Sequence, residues 1–413
     1  MPTQRKPLKV YRLAGSRFLH TCQLTSEQAG DAVLHAAILS CFLIQLFAFC
    51  HTSHVARLFQ LFNLATSIDF NVKLPPHISG LALPPCSPQF IDLYNEDGED
   101  SRATPPDANA ELIAGLLATP ACVSPKYFYN PLGSKLFEAI TGLEEYYPTR
   151  TEGLILEAAN NQITAALHDA GVKEPCLIDL GAGNCAKALA LIPHIQPRQY
   201  VPVDISVEFL RDSAGQVQNS FPALDIVGIG MDFSKGIELP PQVQRTNRVF
   251  FYPGSSLGNF HPDQALTFLS HIADPQQGMA RGLLLGIDLV KDTAVLEAAY
   301  DDLLGVTAAF NKNLLLNVNS ILKSDFDLRQ WQHVARFNTA ASRIEMHLEA
   351  SCKLAVEWPG HHRLFAKGER MLTECSYKYT PASMTSLLRE AGFKEVRYWT
   401  DPKAWFAVFW ATT

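Results

Sequence analysis

Apolar and polar positions alternate along this chain with two periods, and the changes between them outline a fold. Cys176-Leu-Ile-Asp-Leu180 is a short apolar run that meets Gly181 and Gly183 and gives way to an Ala-rich stretch with helical spacing. This predicts strand, tight turn and helix. Three similar runs follow: Tyr200-Val-Pro-Val-Asp204, Leu224 to Met231 before Asp232-Phe233, and Arg248 to Tyr252 before Pro-Gly-Ser-Ser. Gly282 to Val290 is the last of the series. Strands alternating with helical segments predict a parallel α/β sheet over about 176–290. Ahead of it, Ala110 to Leu117 reads as a short helix, and Thr151 as the cap of a helix to about Ala166. Beyond it, 292–319 is helical in period and 331–358 alternates like a strand pair. Met371 to Tyr379 reads as a strand. Pro381 to Ala391 reads as a helix, followed by antiparallel strands at 395–400 and 405–410.

The first hundred residues differ. Arg5, Lys6, Lys9, Arg12 and Arg17 make a basic start, and Ala32 to Ala56 carries no Asp, Glu, Lys or Arg. That run is near the roughly 20 residues of a membrane span, and the basic flank would keep the N-terminus cytosolic. A docked apolar helix and a non-core extension are the competing readings. Pro75 to Pro106, with the acidic run Glu96-Asp-Gly-Glu-Asp100, reads as a linker. Residues 1–104 are therefore expected to be a hydrophobic and Pro-rich extension outside the ordered core.

Charge narrows the partners. The formal net charge is −7 over 413 residues, with no basic stripe, which disfavours a nucleic-acid substrate. The nine cysteines contain no CxxC pair and read as free thiols in a reducing cytoplasm. His51/His54 and His361-His362 lack further ligands at metal spacing, so no metal is expected.

The glycine turn carries the candidate chemistry. Without a Cβ, Gly181 and Gly183 let the backbone turn sharply under a bound nucleoside, and the helix start beyond offers free N–H groups. Asp204, about 20 residues on, can accept both hydroxyls of a ribose. Gly181, Gly183 and Ala186 also satisfy the dinucleotide pattern G-x-G-x-x-A, so a nicotinamide enzyme stays open. Asp179 before the turn, and an acid plus an aromatic at Asp232-Phe233 suited to adenine, favour S-adenosylmethionine.

These segments resemble the histidine Nα-methyltransferases of ergothioneine biosynthesis. The resemblance runs from about Asn109 to the C-terminus and is carried by KYFYNPLGSKLFEAITGLEEYYPTRTE, YVPVDIS, PGSSLGNF, GIDLVKD, AYDDLLGVTAAFNKN, IEMHLEA and MLTECSYK, in family order. It implies a class I, Rossmann-like methyltransferase sheet with an inserted α+β substrate domain. The substrate domain would be 105–150 plus 291–378, and the S-adenosylmethionine domain 151–290 plus 379–413. The implied reaction is trimethylation of the α-amine of L-histidine to hercynine, by a monomer that leaves sulfur insertion to a separate enzyme. A relative acting on another amino acid, such as a tryptophan derivative, is the alternative.

Carried over by position, the cofactor contacts fall on Gly181, Lys187, Asp204, Asp232 and Phe233, with Ala182 and Gly183 completing the turn. Ala182 and Asn184 depart from the usual Gly-Ser-Gly-Thr. Substrate contacts fall on Tyr129, Phe137, Tyr146, Gly254, Ser256, Asn259, Tyr300, Met346, Glu374 and Ser376, with Tyr129 and Asn259 expected to be catalytic. Asn259, Tyr146 and Tyr300 suit the carboxylate and amine, and Tyr129 and Phe137 suit a methylammonium. Glu374 and Ser376, two apart on a strand, share a face and can grip both imidazole nitrogens. Periodicity alone reads Glu374 as a solvated strand residue, Met346 as core, and Tyr146 as core or ligand alike.

Overall fold

The computed structural model describes residues 86–93, 109–274 and 280–413. The basic start, the Ala32–Ala56 run and most of the acidic linker lie outside the described residues. Among the described residues no helix is long and apolar enough to cross a membrane.

The centre is an eight-stranded sheet. Its members in chain order are β1 (Gln89–Asp92), β2 (Cys176–Leu180), β3 (Gln199–Asp204), β4 (Asp225–Gly230), β5 (Arg248–Tyr252) and β6 (Ala280–Asp288), with β12 (Val396–Thr400) and β13 (Phe406–Thr412) near the C-terminus. Spatially the order is β1-β4-β3-β2-β5-β6-β13-β12. The first six run parallel, and β13 and β12 are antiparallel additions. Strand order reverses at β2, so the carboxyl ends of β2 and β5 open the crevice where such sheets hold ligands.

The helices α1 (Ala110–Leu117), α2 (Pro131–Thr141) and α3 (Tyr147–Asp169) precede β2. Helices α4 (Ala186–Ile195), α5 (Val207–Ser220) and α6 (Pro262–Ala273) connect the parallel strands, and α9 (Pro381–Glu390) precedes β12. Two helices, α7 (Thr293–Ala298) and α8 (Val306–Leu322), follow β6. Both faces of the central strands are buried, as a helix-covered parallel sheet requires. Cys176, Ile178 and Leu180 pack in one cluster with Phe268 of α6 and Met384 of α9. Leu177 packs in another with Ile163 of α3 and Leu191 of α4.

A third apolar cluster joins α1, α2 and α8 to a separate three-stranded antiparallel sheet. That sheet is β7 (Trp331–Asn338), β8 (Arg343–Ala350) and β11 (Arg370–Tyr377), in the order β11-β8-β7. A hairpin of β9 (Leu354–Trp358) and β10 (His361–Phe365) carries His361 and His362.

The structure corrects four boundaries. Within the segment expected to be linker, Gln89–Asp92 pairs with β4 as an edge strand, because Gly228 leaves room for the Phe90 ring on its flank. The helix expected to start at Thr151 starts at Tyr147, since Pro148 suits a first turn whose N–H groups lack partners. The helical stretch 292–319 is two helices. Asp302 accepts from the N–H groups of Val306 and Thr307 at 2.9 and 2.7 Å and starts the second. The pair expected over 331–358 is three strands.

Candidate active site

The loop after β2 is built by its backbone. Gly181 and Gly183 have φ of +68° and +52°, a region that disfavours a Cβ. The N–H groups of Gly181 and Ala182 both donate to the Val203 carbonyl, at 2.9 and 3.1 Å. Asp204, at the end of β3, accepts from the N–H of Gly183 and of Ser206, both at 2.9 Å. It thus fastens the loop as well as facing the crevice. Burial raises its pKa, against the pull of those donors.

Two buried carboxylate oxygens line this side without a partner. Asp179 accepts a hydrogen bond from Tyr200 at 2.7 Å on one oxygen, and its other oxygen has none. Burial pushes its pKa up to about 7, with Tyr200 and Lys187 opposing. Asp232 caps the turn at Phe233–Lys235 through the Ser234 N–H, and its second oxygen is also unpartnered. The Phe233 ring stands beside Gly181 and packs edge-on against Tyr252 at 5.7 Å. Unpaired buried acceptors are costly. An adenine amine at Asp232 and an amino-acid ammonium near Asp179 would satisfy them, so these residues fit S-adenosylmethionine.

Lys187 is partly committed. Its ammonium lies 2.5 Å from Glu152, which is fully buried in α3. Glu152 also accepts from the Gly254 N–H, at 3.0 and 2.9 Å. One carboxylate therefore ties the glycine-loop helix to the loop after β5. A Cβ at Gly286 would lie 1.8 Å from this carboxylate, so that position admits no side chain. The sequence reading missed Glu152, because a Glu in the second turn of a helix gives no periodic signal. The N–H of Gly254, which the resemblance places in contact with substrate, donates to Glu152.

The other wall is aromatic. Tyr129 stands edge-on to Phe137 at 6.0 Å, Phe137 to Tyr146 at 6.1 Å, and Tyr146 to Tyr300 at 6.2 Å. Phe310 of α8 backs Tyr129 at 5.9 Å. The loop ahead of α2, α2 itself, the start of α3 and the α7–α8 connection bring these rings together. Burial raises the pKa of Tyr129, Tyr146 and Tyr300. Their phenols stay protonated at neutral pH and act as hydrogen-bond donors rather than bases.

β11 supplies the polar floor. A bulge between Leu372 and Glu374 inserts Thr373, whose hydroxyl bonds the Met346 carbonyl at 3.0 Å. The bulge shifts the alternation by one residue. Met371, Glu374 and Ser376 consequently pair with Leu348, Met346 and Ile344, the buried face of β8. Met346 itself is core, 2 % exposed. Burial pushes the Glu374 pKa up to about 7, with Lys378 opposing. Ser256 and Asn259 bound a short turn packed on β11, and the Ser256 hydroxyl bonds the Pro253 carbonyl at 3.3 Å.

Behind this floor lies a charged network the sequence reading did not single out. Lys378 bonds Asp288, the Tyr300 hydroxyl and the Ser376 hydroxyl at 2.8, 3.0 and 2.9 Å. Asp288 also accepts from Tyr147 and Lys291.

Residues 108–413 match the family of histidine-specific, SAM-dependent methyltransferases. The chain belongs to this family. It is 41 % identical to the histidine N-alpha-methyltransferase of Mycolicibacterium smegmatis, over 77 % of this chain and 98 % of that protein. It is 37 % identical to the protein of the same name in Mycobacterium tuberculosis, over 75 % and 96 %. Ergothioneine biosynthesis protein 1 of Neurospora crassa is 28 % identical over 66 % of this chain and 31 % of that protein. Membership in the family makes S-adenosylmethionine the methyl donor of an N-methyltransferase, and removes the nicotinamide alternative.

Asp204→Ala is expected to weaken S-adenosylmethionine binding by about ten- to a hundredfold. Lost hydrogen bonds to a charged group amount to about 1.5–3 kcal/mol. Calorimetric titration checks this, and an unchanged Kd would remove Asp204 from the cofactor site.

Proposed function

We propose that the protein transfers three methyl groups from S-adenosylmethionine to the α-amino nitrogen of L-histidine, giving hercynine, the first step of ergothioneine biosynthesis. The observation that carries the histidine reading is the Glu374–Ser376 pair, turned by the bulge onto one face below four aromatic rings. An imidazole offers two ring nitrogens at the edge, and this pair offers it a carboxylate and a hydroxyl. An indole offers one N–H and no ring-nitrogen acceptor, so it could pair with Glu374 but would leave the Ser376 hydroxyl without an acceptor in a buried site, which is costly. That weighs against a tryptophan-derived substrate.

S-adenosylmethionine, when bound, supplies an electrophilic methyl on a sulfonium. The work left to the chain is alignment and exclusion of water. Gly181, Ala182, Gly183, Lys187, Asp204, Asp232 and Phe233 hold the donor. Asn259 and Tyr146 hold the histidine carboxylate and amine, and Tyr300, whose own proton goes to Ser376, serves the amine as an acceptor. Tyr129 and Phe137 face the nitrogen as it becomes a methylammonium, which ring faces stabilise by about 0.5–2 kcal/mol each. Tyr129 and Asn259 act at the reacting amine. Ser256 and Gly254 shape the loop between the two sites, and Met346 sets the depth beneath the ring.

On this reading 105–150 plus 291–378 form the substrate domain, and 151–290 plus 379–413 the methyltransferase domain. The enzyme works as a cytoplasmic monomer, and a sulfur-inserting activity takes up its product downstream.

The test is incubation of the full chain with S-adenosylmethionine and each of the twenty amino acids, read by mass spectrometry. Histidine alone is expected to gain up to three methyls. Binding of the cofactor with no methylated histidine would overturn the reading.

A further inference from the structure

The protons of the Tyr300–Ser376–Lys378 cluster can be counted. Lys378 is an ammonium with three donors. It is fully buried, and its three donors go to Asp288, Tyr300 and Ser376. The Tyr300 hydroxyl in turn donates to Ser376 at 2.9 Å. The Ser376 oxygen therefore accepts twice, which fills both lone pairs. Its own proton has no acceptor among the bonds made by the described residues. Beside it on the same face stands Glu374, an acceptor whenever ionised.

A site with one fixed donor and one acceptor matches a neutral imidazole, which has one bare nitrogen and one N–H. It does not match an imidazolium, whose two N–H groups need two acceptors. Ser376 can become an acceptor only by breaking a bond to Lys378 or Tyr300.

Resting on the histidine reading above, we propose that Lys378, held by Asp288, fixes the Ser376 hydroxyl as a pure donor, so that the enzyme selects histidine with a neutral imidazole in a single tautomer. Lys378 is then a positioning residue for substrate protonation state. Asp288 anchors it from β6, beside Lys291 and Tyr147. Tyr146, Tyr300 and Glu374 are the other titratable groups facing the cluster.

Glu374 also titrates near neutral pH, so acid weakens binding through it as well. The comparison that removes this effect uses 2-fluorohistidine, whose ring stays neutral because fluorine strips its basicity. The quantity to measure is the ratio of Kd for L-histidine to Kd for 2-fluorohistidine, by calorimetry with S-adenosylhomocysteine present, from pH 7.5 to 5.5. Glu374 affects both ligands alike and cancels. In the wild-type protein the ratio is expected to rise about tenfold per pH unit below the ring pKa of about 6.5. A level ratio would overturn the proposal, and this arm needs no variant. In Lys378→Met, and in Ser376→Ala, the ratio is expected to flatten, because no forced donor remains. A ratio that still rises in both variants would take the selection away from Lys378. Failure to bind or methylate histidine at any pH would instead sink the functional reading beneath it.

Discussion

Glu374→Ala is expected to raise the KM for L-histidine by about ten- to a hundredfold while leaving the Kd of S-adenosylmethionine within about twofold. The magnitude is that of a lost hydrogen bond to a charged acceptor, about 1.5–3 kcal/mol, at about 1.4 kcal/mol per tenfold. The separation from cofactor binding follows from placement. Glu374 stands on β11 across from Met346, whereas Asp204, Asp232 and the glycine loop belong to the carboxyl ends of the central strands. Glu374→Gln is the finer probe. Its amide oxygen can still accept from an imidazole N–H, so its loss should be smaller than that of the alanine variant. The pH sign is fixed by burial. The Glu374 pKa is raised to about 7 in the substrate-free protein, so acid converts the acceptor to a carboxylic acid and histidine binding falls through that range. In the alanine variant this component disappears. Steady-state kinetics in parallel with cofactor titration decides the matter. If both affinities drop together with the melting temperature, Glu374 is a structural residue.

Much of the cofactor side was legible in the sequence, because its signals are local. An apolar run, two glycines and an acid lie within a few residues of each other, and 20 residues on comes Asp204. The succession of strands and helices along the chain follows from the same alternation of periods. The polar floor of the substrate side was harder to read. Glu374 and Ser376 share a face by spacing alone, but which face they share depends on the bulge at Thr373, and simple alternation from Met371 counts it wrongly. The network behind them was invisible. Tyr147 and Asp288 are 141 residues apart, as are Glu152 and Gly254 by 102, and each pair meets only after the sheet has formed. A buried Lys or Asp looks like a surface residue until its partner is in place. The edge strand at Gln89–Asp92 was missed for another reason. Four residues among prolines carry too short a pattern, and the feature that admits them is Gly228 on a different strand.

Asp288→Ala should destabilise the protein by about 3–5 kcal/mol, because it strands two buried ammonium groups. The Asp288 carboxylate accepts from Tyr147 at 2.9 and 2.8 Å, from Lys378 at 2.8 Å and from Lys291 at 2.5 Å. Its side chain and that of Lys378 are almost wholly shielded from water. At roughly 2–4 °C per kcal/mol for a domain of this class, the melting temperature should fall by about 6–20 °C. Lys378→Met should cost less, since Asp288 keeps Lys291 and Tyr147. The double variant Asp288→Ala/Lys378→Met should recover part of the loss, as one stranded charge is removed with its partner. The pH dependence gives an independent sign. Burial already lowers the Lys291 pKa to about 8, with Asp288 opposing. Without Asp288 it falls further below the unfolded value of about 10.4. Between those values the unfolded chain binds more protons than the folded one, so stability rises with pH. The deficit of Asp288→Ala should therefore shrink between pH 7 and pH 9.5. Thermal melts of the wild type and the three variants at both pH values test this. A variant as stable as wild type at pH 7, or a deficit that does not change with pH, would show that the lysines are not held as charges by Asp288.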